Sequence, residues 1–276
     1  MQKTHFKKVA INAALKAGGY IRKNIGRAKD VHYKGEINIV TDIDKKAERI
    51  IVNSIKHAYP SHNFLAEESS YAKEEVQSSY ASEDRGTLKQ KRDSKYTWVI
   101  DPLDGTTNFL HGFPVFCVSI ALEYNGKPIV GVVYDPTRNE LFYAEKGRGA
   151  FMNKKKIHVS KITNIKKALL STGFAYDVKA TIDNNINNFA KFIKASQAVR
   201  RAGSAALDLC YVASGRFDGF WELGLHPWDA AAALLIVQEA GGKVTRFNGS
   251  KYTIYDKEIL ASNSKIHSQM IKILSK

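Results

Sequence analysis

The chain has 276 residues, of which 44% are hydrophobic and 25% are charged. This composition is typical of a soluble globular protein and excludes a disordered or fibrous one. The length fits one large or two medium domains. The formal net charge is +15, which would attract anionic ligands such as small phosphates, nucleic acids or acidic proteins, although a basic surface also simply keeps a protein in solution.

Two further classes of protein are disfavoured by the sequence. No segment has the ~18 uninterrupted apolar residues of a membrane-spanning helix, and polar residues interrupt the N-terminal segment where a secretory signal would lie. We therefore expect a cytoplasmic protein without a membrane partner. Cys117 and Cys210 are the two cysteines; they cannot form a disulfide framework in a chain of this size and are expected to be buried.

Two amphipathic helices are predicted in the first sixty residues. From Phe6 onward, apolar residues recur at three- and four-residue spacing, which predicts a helix that ends near Gly26. A second helix is predicted to begin at Thr41 and to end before Pro60. Asp44 takes its third position, as in a capping box.

A long loop and an antiparallel sheet are predicted next. Residues 68–95 are polar and mixed in charge, which indicates a long mobile loop. After it the apolar pattern changes to that of strands, joined in one case by the hairpin signal Asn125-Gly126. The predicted strands cover residues 98–100, 115–123, 129–134 and 140–144.

In the second half of the chain, strands and helices alternate, and we place a domain boundary near residue 155. The predicted strands are 168–171, 219–222, 243–247 and 259–261, and the predicted helices are 183–195, 204–213, 229–240 and a terminal helix.

The segment 98–107 contains the clearest chemical pattern. A buried strand leads into Asp101 and Asp104, between which Pro102 stiffens the turn, and Gly105 leaves the backbone approachable. Two carboxylates at a strand end suit a hard cation, and the N–H groups that follow suit a phosphate. Asp-Pro and Asp-Gly also occur in ordinary turns, so this segment alone leaves both interpretations open.

Other carboxylates are candidates for the same cation. Asp229 opens an alanine-rich helix, where it is either an N-cap or a metal ligand. Glu67 and Glu68 follow an apolar segment and either end a strand or reach the cation. The histidines are scattered and no His–Cys metal spacing occurs, which disfavours zinc and favours magnesium or manganese.

Together these motifs resemble those of the inositol monophosphatase family. The motifs are residues 98–109, 66–69 and 228–231, in the family's order, and residues 201–206 and 220–222 support the match. The resemblance implies a layered αβαβα sugar-phosphatase fold of the α+β or α/β class, with an antiparallel N-terminal sheet and a smaller C-terminal α/β part. It also implies a homodimer that hydrolyses phosphate monoesters with magnesium.

The resemblance further implies a site with two or three Mg²⁺ ions, for which Mn²⁺ is a possible substitute. One ion would be bound by Glu67, Asp101 and the Leu103 carbonyl. A second would be bound by Asp101, Asp104 and Asp229. Two cations about 4 Å apart neutralise phosphate oxygens, lower the pKa of a bound water and stabilise the leaving alkoxide, without a covalent intermediate.

The catalytic and substrate-binding residues are also implied by the resemblance. Thr106 would orient the attacking water, with help from Glu67 and from Asp44, which could equally be a helix cap. The N–H groups of Gly105 and Thr106 would hold the phosphate. The residues expected to contact the polyol hydroxyls are Gly203, Ser204, Ala205 and Glu222.

The resemblance assigns roles to the two predicted domains. Residues 1–155 would form an N-terminal α+β domain that binds metal and phosphate, and residues 156–276 a C-terminal α/β domain that supplies Asp229 and substrate contacts. Two departures from the family stand out: Ala66 replaces a common glycine, and the long connection between Glu67 and Asp101 suggests a flap over the site.

Alternative functions are also compatible with the sequence. Residues 210–216 have the Cys-x5-Arg spacing of cysteine-dependent phosphatases, although Cys210 falls within a helical pattern. Residues 101–106 are similar to the motif of haloacid-dehalogenase-like phosphatases, but their spacing is one residue too long. The basic surface could bind RNA or a transcription complex, or weakly bind nucleic acid or acidic proteins, although basic residues lack interleaved surface aromatics.

A small phosphorylated polyol is the expected substrate. Our first choice is myo-inositol monophosphate, hydrolysed to inositol and phosphate with sensitivity to lithium. Fructose 1,6-bisphosphate, histidinol phosphate, NADP and 3′-phosphoadenosine 5′-phosphate are the alternatives that relatives of the family use.

Overall fold

The computed structural model describes residues 3–27, 31–33, 39–69, 94–175, 178, 181 and 184–275. The helices are α1 (Lys3–Lys23), α2 (Asp42–Ala58), α3 (Thr106–Leu110), α4 (Ile186–Ala195), α5 (Ala205–Ala213), α6 (Pro227–Glu239) and α7 (His267–Leu274). The strands are β1 (Val31–Tyr33), β2 (Ile39–Thr41), β3 (Asn63–Ala66), β4 (Tyr96–Asp104), β5 (Cys117–Tyr124), β6 (Lys127–Asp135), β7 (Glu140–Glu145), β8 (Ala150–Met152), β9 (Lys155–Lys156), β10 (Leu169–Thr172), β11 (Ala198–Arg200), β12 (Gly219–Leu223), β13 (Lys243–Thr245) and β14 (Glu258–Ser262).

Two larger sheets form the frame of the fold. The seven-stranded sheet has the order β3-β4-β5-β6-β7-β8-β9. It is the predicted antiparallel N-terminal sheet, with one parallel pair, β3 with β4, at its edge. The five-stranded sheet has the order β11-β10-β12-β14-β13, in which β10 is parallel to both of its neighbours and β14 is antiparallel to both of its own.

Side-chain alternation along the strands separates the core into layers. On β4, Trp98 and Ile100 pack with α1 and α2, whereas Val99 packs with α5 and α6 on the opposite face. On β12, Phe220 joins the α5–α6 side, and Trp221 packs with α4 and α7. The layers therefore run helices, sheet, helices, sheet, helices, which confirms the predicted αβαβα fold.

Helix α6 lies between the two sheets because its surface is built from small side chains. Residues 230–233 are four consecutive alanines, all buried. A Cβ atom at Gly131 of β6 would lie 2.3 Å from the Ala232 carbonyl oxygen, so this glycine permits the backbones of β6 and α6 to approach closely. The start of α6, which carries Asp229, is thereby fixed relative to the large sheet.

The predicted loop and domain boundary are only partly covered by the structure. Residues 70–93 of the predicted loop lie outside the described residues, whereas residues 67–69 are helical. The change from the large to the small sheet falls between β9 and β10, but one core cluster contains side chains from both sheets. The boundary near residue 155 and the separate roles of the two domains stay predictions. Within the described residues, no helix has the length and apolarity needed to cross a membrane.

Candidate active site

An irregularity in strand β4 brings its two aspartates to one site. Asp101 pairs with Ser119 of β5 and Asp104 pairs with Cys117, so three steps along β4 match two steps along β5. In a regular strand, residues three positions apart point to opposite faces. The extra residue of the bulge cancels that reversal. Strand β4 is thus longer than the predicted 98–100 and contains both carboxylates.

Asp101 lies at the centre of a group of acidic side chains. It is 2% exposed, and its Oδ1 accepts a hydrogen bond from the Leu103 N–H at 2.9 Å. Burial raises the pKa of Asp101 well above its usual value, and the charges of Glu67, Asp104 and Asp229 raise it further. The charges of three other acidic side chains therefore act on Asp101: Glu67, Asp104 of the same strand and Asp229. Their role as metal ligands stays a prediction.

Asp104 connects the large sheet to the start of α5. Its Oδ2 accepts hydrogen bonds from the Ser204 hydroxyl at 2.7 Å and from the Ala206 N–H at 2.8 Å. Burial, followed by the charge of Asp229, raises the pKa of Asp104 to about 7. The hydrogen bonds act in the opposite direction and favour the ionised form.

Asp229 is in the first turn of α6 but is not its N-cap. The helix begins at Pro227, two residues earlier than predicted, because proline is well accommodated in the first turn. His226 is the N-cap, and the Asp229 Oδ2 accepts a hydrogen bond from the His226 N–H at 2.7 Å. The N-cap interpretation was therefore wrong by three positions, although the carboxylate does cap the helix from inside.

The donor set fits divalent cations that prefer oxygen ligands. In the ranges that the structure describes, no three His, Cys, Asp or Glu side chains already converge on one point as a metal site. Local hydrogen bonds hold Asp101, Asp104 and Asp229 to nearby N–H and hydroxyl groups. The negative charges of these carboxylates also repel one another, and a bound cation would reduce this repulsion.

Asp44 is the helix cap expected from the sequence and also contacts Thr106, whereas its help in orienting a water stays a prediction. Its Oδ2 accepts a hydrogen bond from the Thr41 N–H at 2.9 Å, which completes the predicted capping box of α2. Its Oδ1 accepts a hydrogen bond from the Thr106 hydroxyl at 2.8 Å. That hydroxyl also lies 3.0 Å from the Leu103 carbonyl oxygen, so three of the predicted site residues meet here.

Gly105 makes a turn that other residues would strain. Its φ is +95°, in the left-handed region, and an added Cβ would lie 2.8 Å from the Val115 carbonyl oxygen. The next turn of chain is fixed by Asn108, whose side-chain amide donates to the carbonyl oxygens of Val115 at 2.7 Å and Ala202 at 2.8 Å. The segment before Gly203 is thereby held beside the turn at Gly105.

Glu48 positions Glu67, a role that the sequence analysis missed. Glu48 is 5% exposed, and its carboxylate accepts hydrogen bonds from the N–H groups of Glu68 at 2.8 Å and Ser69 at 3.1 Å. The helical turn that begins with Glu67 is therefore capped from α2. Glu48 lies one helical turn after Asp44, on the same face, and that spacing is the signal which could have identified it.

A cavity of about 1230 Å³ contains most of the predicted substrate residues. The predicted site residues on its wall are Asp104, Gly105, Gly203, Ser204, Ala205, Glu222 and Asp229. Glu222 packs against the backbone of Gly173, where an added Cβ would lie 2.2 Å from the Glu222 Oε1. Burial, and next the charge of Asp208, raise the pKa of Glu222 well above its usual value.

The arrangement around Cys210 contradicts the cysteine-dependent alternative. Cys210 is fully buried within α5 rather than at the start of a phosphate-binding loop. Burial raises its pKa well above the usual value, which opposes formation of the nucleophilic thiolate. Cys117 is also buried, with its Sγ 3.7 Å from the Ser204 Oγ. Both thiols are core side chains, as expected.

Comparison with known proteins shows the family of this chain. The model of the inositol monophosphatase family matches residues 2–276. An inositol-1-monophosphatase of Synechocystis is 45% identical over 97% of this chain and 88% of its own length. A Vibrio cholerae protein named Nus factor SuhB is 43% identical over 93% of this chain and 91% of its own.

A solved structure shows the same fold. The inositol monophosphatase from Anabaena (Nostoc) superposes with a TM-score of 0.84 at 40% identity, covering 100% of this chain and 97% of that one. The family model, the similar sequences and the superposed structure each cover nearly the whole chain. This chain belongs to the inositol monophosphatase family, a family of phosphatases.

Proposed function

We propose that this protein is a magnesium-dependent phosphatase that converts myo-inositol monophosphate and water into inositol and phosphate. The observation that carries the proposal is the buried Asp101, whose pKa is raised by burial and by the charges of Glu67, Asp104 and Asp229. Divalent cations would remove this repulsion. The similarity to a protein named inositol-1-monophosphatase supports the choice of substrate.

Glu67, Asp101 and the Leu103 carbonyl would hold one magnesium ion, and Asp101, Asp104 and Asp229 a second. Magnesium supplies positive charge for the phosphate oxygens and lowers the pKa of a bound water. The capping of residues 67–69 by α2 and the clamping of α6 between two sheets support this assignment, because ligands must be fixed to keep the geometry of a site.

The chain's own groups would then orient the reaction. Because Thr106 donates its hydroxyl proton to Asp44, its oxygen lone pairs are directed to accept a hydrogen bond from an attacking water. Glu67 would assist that water. The N–H groups of Gly105 and Thr106 would hold the phosphate. The group that orients the attacking water and the groups that stabilise the phosphate charge would thus be adjacent in the chain.

The leaving group would lie in the cavity and contact the part of its wall that the second half of the chain forms. Its expected contacts are Gly203, Ser204, Ala205 and Glu222, of which all four line the cavity. Hydroxyl, backbone and carboxyl groups suit a small polyol. Fructose 1,6-bisphosphate, histidinol phosphate, NADP and 3′-phosphoadenosine 5′-phosphate are the alternative substrates, and a homodimer is the proposed assembly.

Phosphate release from these five substrates, with magnesium or with a chelator, tests the proposal. We expect release from inositol monophosphate that depends on Mg²⁺, is restored by Mn²⁺ and is reduced by lithium. Asp101→Asn should lower this rate by more than about 100-fold, because even groups that only support metal ligands contribute 10–100-fold. Release that persists in the chelator, or in Asp101→Asn, would contradict the proposal.

A second function is favoured by the basic surface. All eight lysines and arginines of residues 146–167 are exposed, and this segment contains no acidic residue. The similarity to a protein named Nus factor SuhB supports binding of RNA or of a transcription complex. RNA binding that weakens steeply with added salt, and that the double variant Lys154→Glu with Lys155→Glu abolishes, would support this function. RNA binding by that variant equal to wild type would exclude this segment as the binding site.

A further inference from the structure

The wall of the cavity contains a buried carboxyl group that no role assigned so far uses. Asp208 is the fourth residue of α5, one turn after Ser204 and therefore on the same helix face. It is 1% exposed and lines the cavity. Among the described residues, its Oδ1 has no hydrogen-bond partner, and leaving a buried acceptor unsatisfied is unfavourable.

A second buried carboxyl group lines the same cavity. Glu222 is 6% exposed, and the charge of Asp208 is the strongest charge effect on it. Arg201, on the same wall, is the positive group that acts on both. Asp208 comes from α5 and Glu222 from β12, so two elements fix the pair.

The Asp208 carboxyl group differs from a buried carboxyl that is satisfied within the fold. Asp218, for example, accepts a hydrogen bond from the Leu169 N–H at 2.7 Å. Asp208 lacks such a partner at Oδ1. An acceptor that is left unpaired next to a cavity gains most from a ligand that brings a donor.

We infer that Asp208 is a specificity-determining residue, which together with Glu222 accepts hydrogen bonds from neighbouring hydroxyl groups of the leaving polyol. This inference rests on the proposed phosphatase function and adds to it a residue that selects a leaving group with hydroxyls over one without them. A ligand without hydroxyls leaves the Asp208 Oδ1 unpaired in the wall and is therefore rejected.

The test compares inositol monophosphate with cyclohexyl phosphate, which has the same ring without the hydroxyls. With magnesium, the wild type should prefer inositol monophosphate by at least about 100-fold in kcat/KM. Asp208→Asn keeps the size of the side chain, and it should lower kcat/KM for inositol monophosphate at least about tenfold, mainly through KM. Its turnover of cyclohexyl phosphate should stay within about twofold of wild type.

The outcomes separate this inference from the proposed function. Equal losses on both substrates, or no loss on either, would overturn the role of Asp208. If Asp208→Asn does not fold, the ratio of wild-type kcat/KM values for the two substrates remains a test. Equal kcat/KM values would overturn the inference. A wild type that hydrolyses neither substrate would instead contradict the proposed function.

Discussion

Replacing Asp104 by asparagine should change the stability of the protein in opposite directions with and without magnesium. An aspartate in the unfolded chain ionises near pH 3.8, whereas Asp104 keeps its proton to about pH 7 in the folded protein. The folded state therefore binds more protons across this interval, and its stability falls as the pH rises from about 4 to 7. Above pH 7 Asp104 is ionised in the folded protein, and the full free-energy cost of its buried charge lowers stability.

The shift of about three pKa units corresponds to about 4 kcal/mol at 1.36 kcal/mol per unit. Asp104 is only partly buried, so solvent screening reduces the cost, and 4 kcal/mol is an upper bound. Asp104→Asn removes the charge and keeps an oxygen that can accept from the Ala206 N–H. Without metal at pH 8, we expect Asp104→Asn to unfold at a higher urea concentration than wild type.

Magnesium should reverse that order. At 1,000 times its dissociation constant, a bound ion stabilises the folded state by about 4.1 kcal/mol, which exceeds that upper bound, and Asp104→Asn loses one of the proposed ligands. The assay is urea unfolding at pH 5 and pH 8, with a chelator or with Mg²⁺. Asp256→Asn is the matched control, because Asp256 lines the same cavity without being a proposed ligand. An equal gain from magnesium in Asp104→Asn and wild type would refute the reasoning.

Three further changes test other parts of the structure. Gly131→Ala places a Cβ 2.3 Å from the Ala232 carbonyl oxygen, and thermal unfolding should show a loss of about 1–3 kcal/mol. Glu48→Gln weakens the cap that positions Glu67, and calorimetry should show about tenfold weaker magnesium binding, together with a lower melting temperature in chelator because hydrogen bonds to a buried carboxylate are weakened. Burial lowers the pKa of His267 from 6.5 to about 4, so stability should fall by about 3 kcal/mol from pH 6.5 to pH 4; a pH profile that His267→Gln leaves unchanged would contradict this.

The layered fold could be predicted because local patterns and the family motifs agreed. The helix of Phe6, the capping box of Asp44 and the hairpin at Asn125-Gly126 were all found where the sequence placed them. The start of α6 was missed by two residues because the alanine-rich pattern begins only after Asp229, whereas the helix itself already begins at Pro227, which the first turn accommodates.

Other features depend on packing between distant segments and have no local signal. The bulge between Asp101 and Asp104 is visible only in the pairing with β5. Glu48 caps a turn about twenty residues away, and the unpaired oxygen of Asp208 is evident only from its burial. Sequence patterns indicate which face a residue occupies, but they do not give the partner that faces it.

Anomalous diffraction from a crystal soaked in manganese would test the assigned metal ligands most directly. We expect two manganese peaks, one contacted by Glu67, Asp101 and the Leu103 carbonyl, and one contacted by Asp101, Asp104 and Asp229. Absence of any peak between these side chains, with Asp104 and Asp229 still directed to Ser204 and His226, would contradict the proposed site.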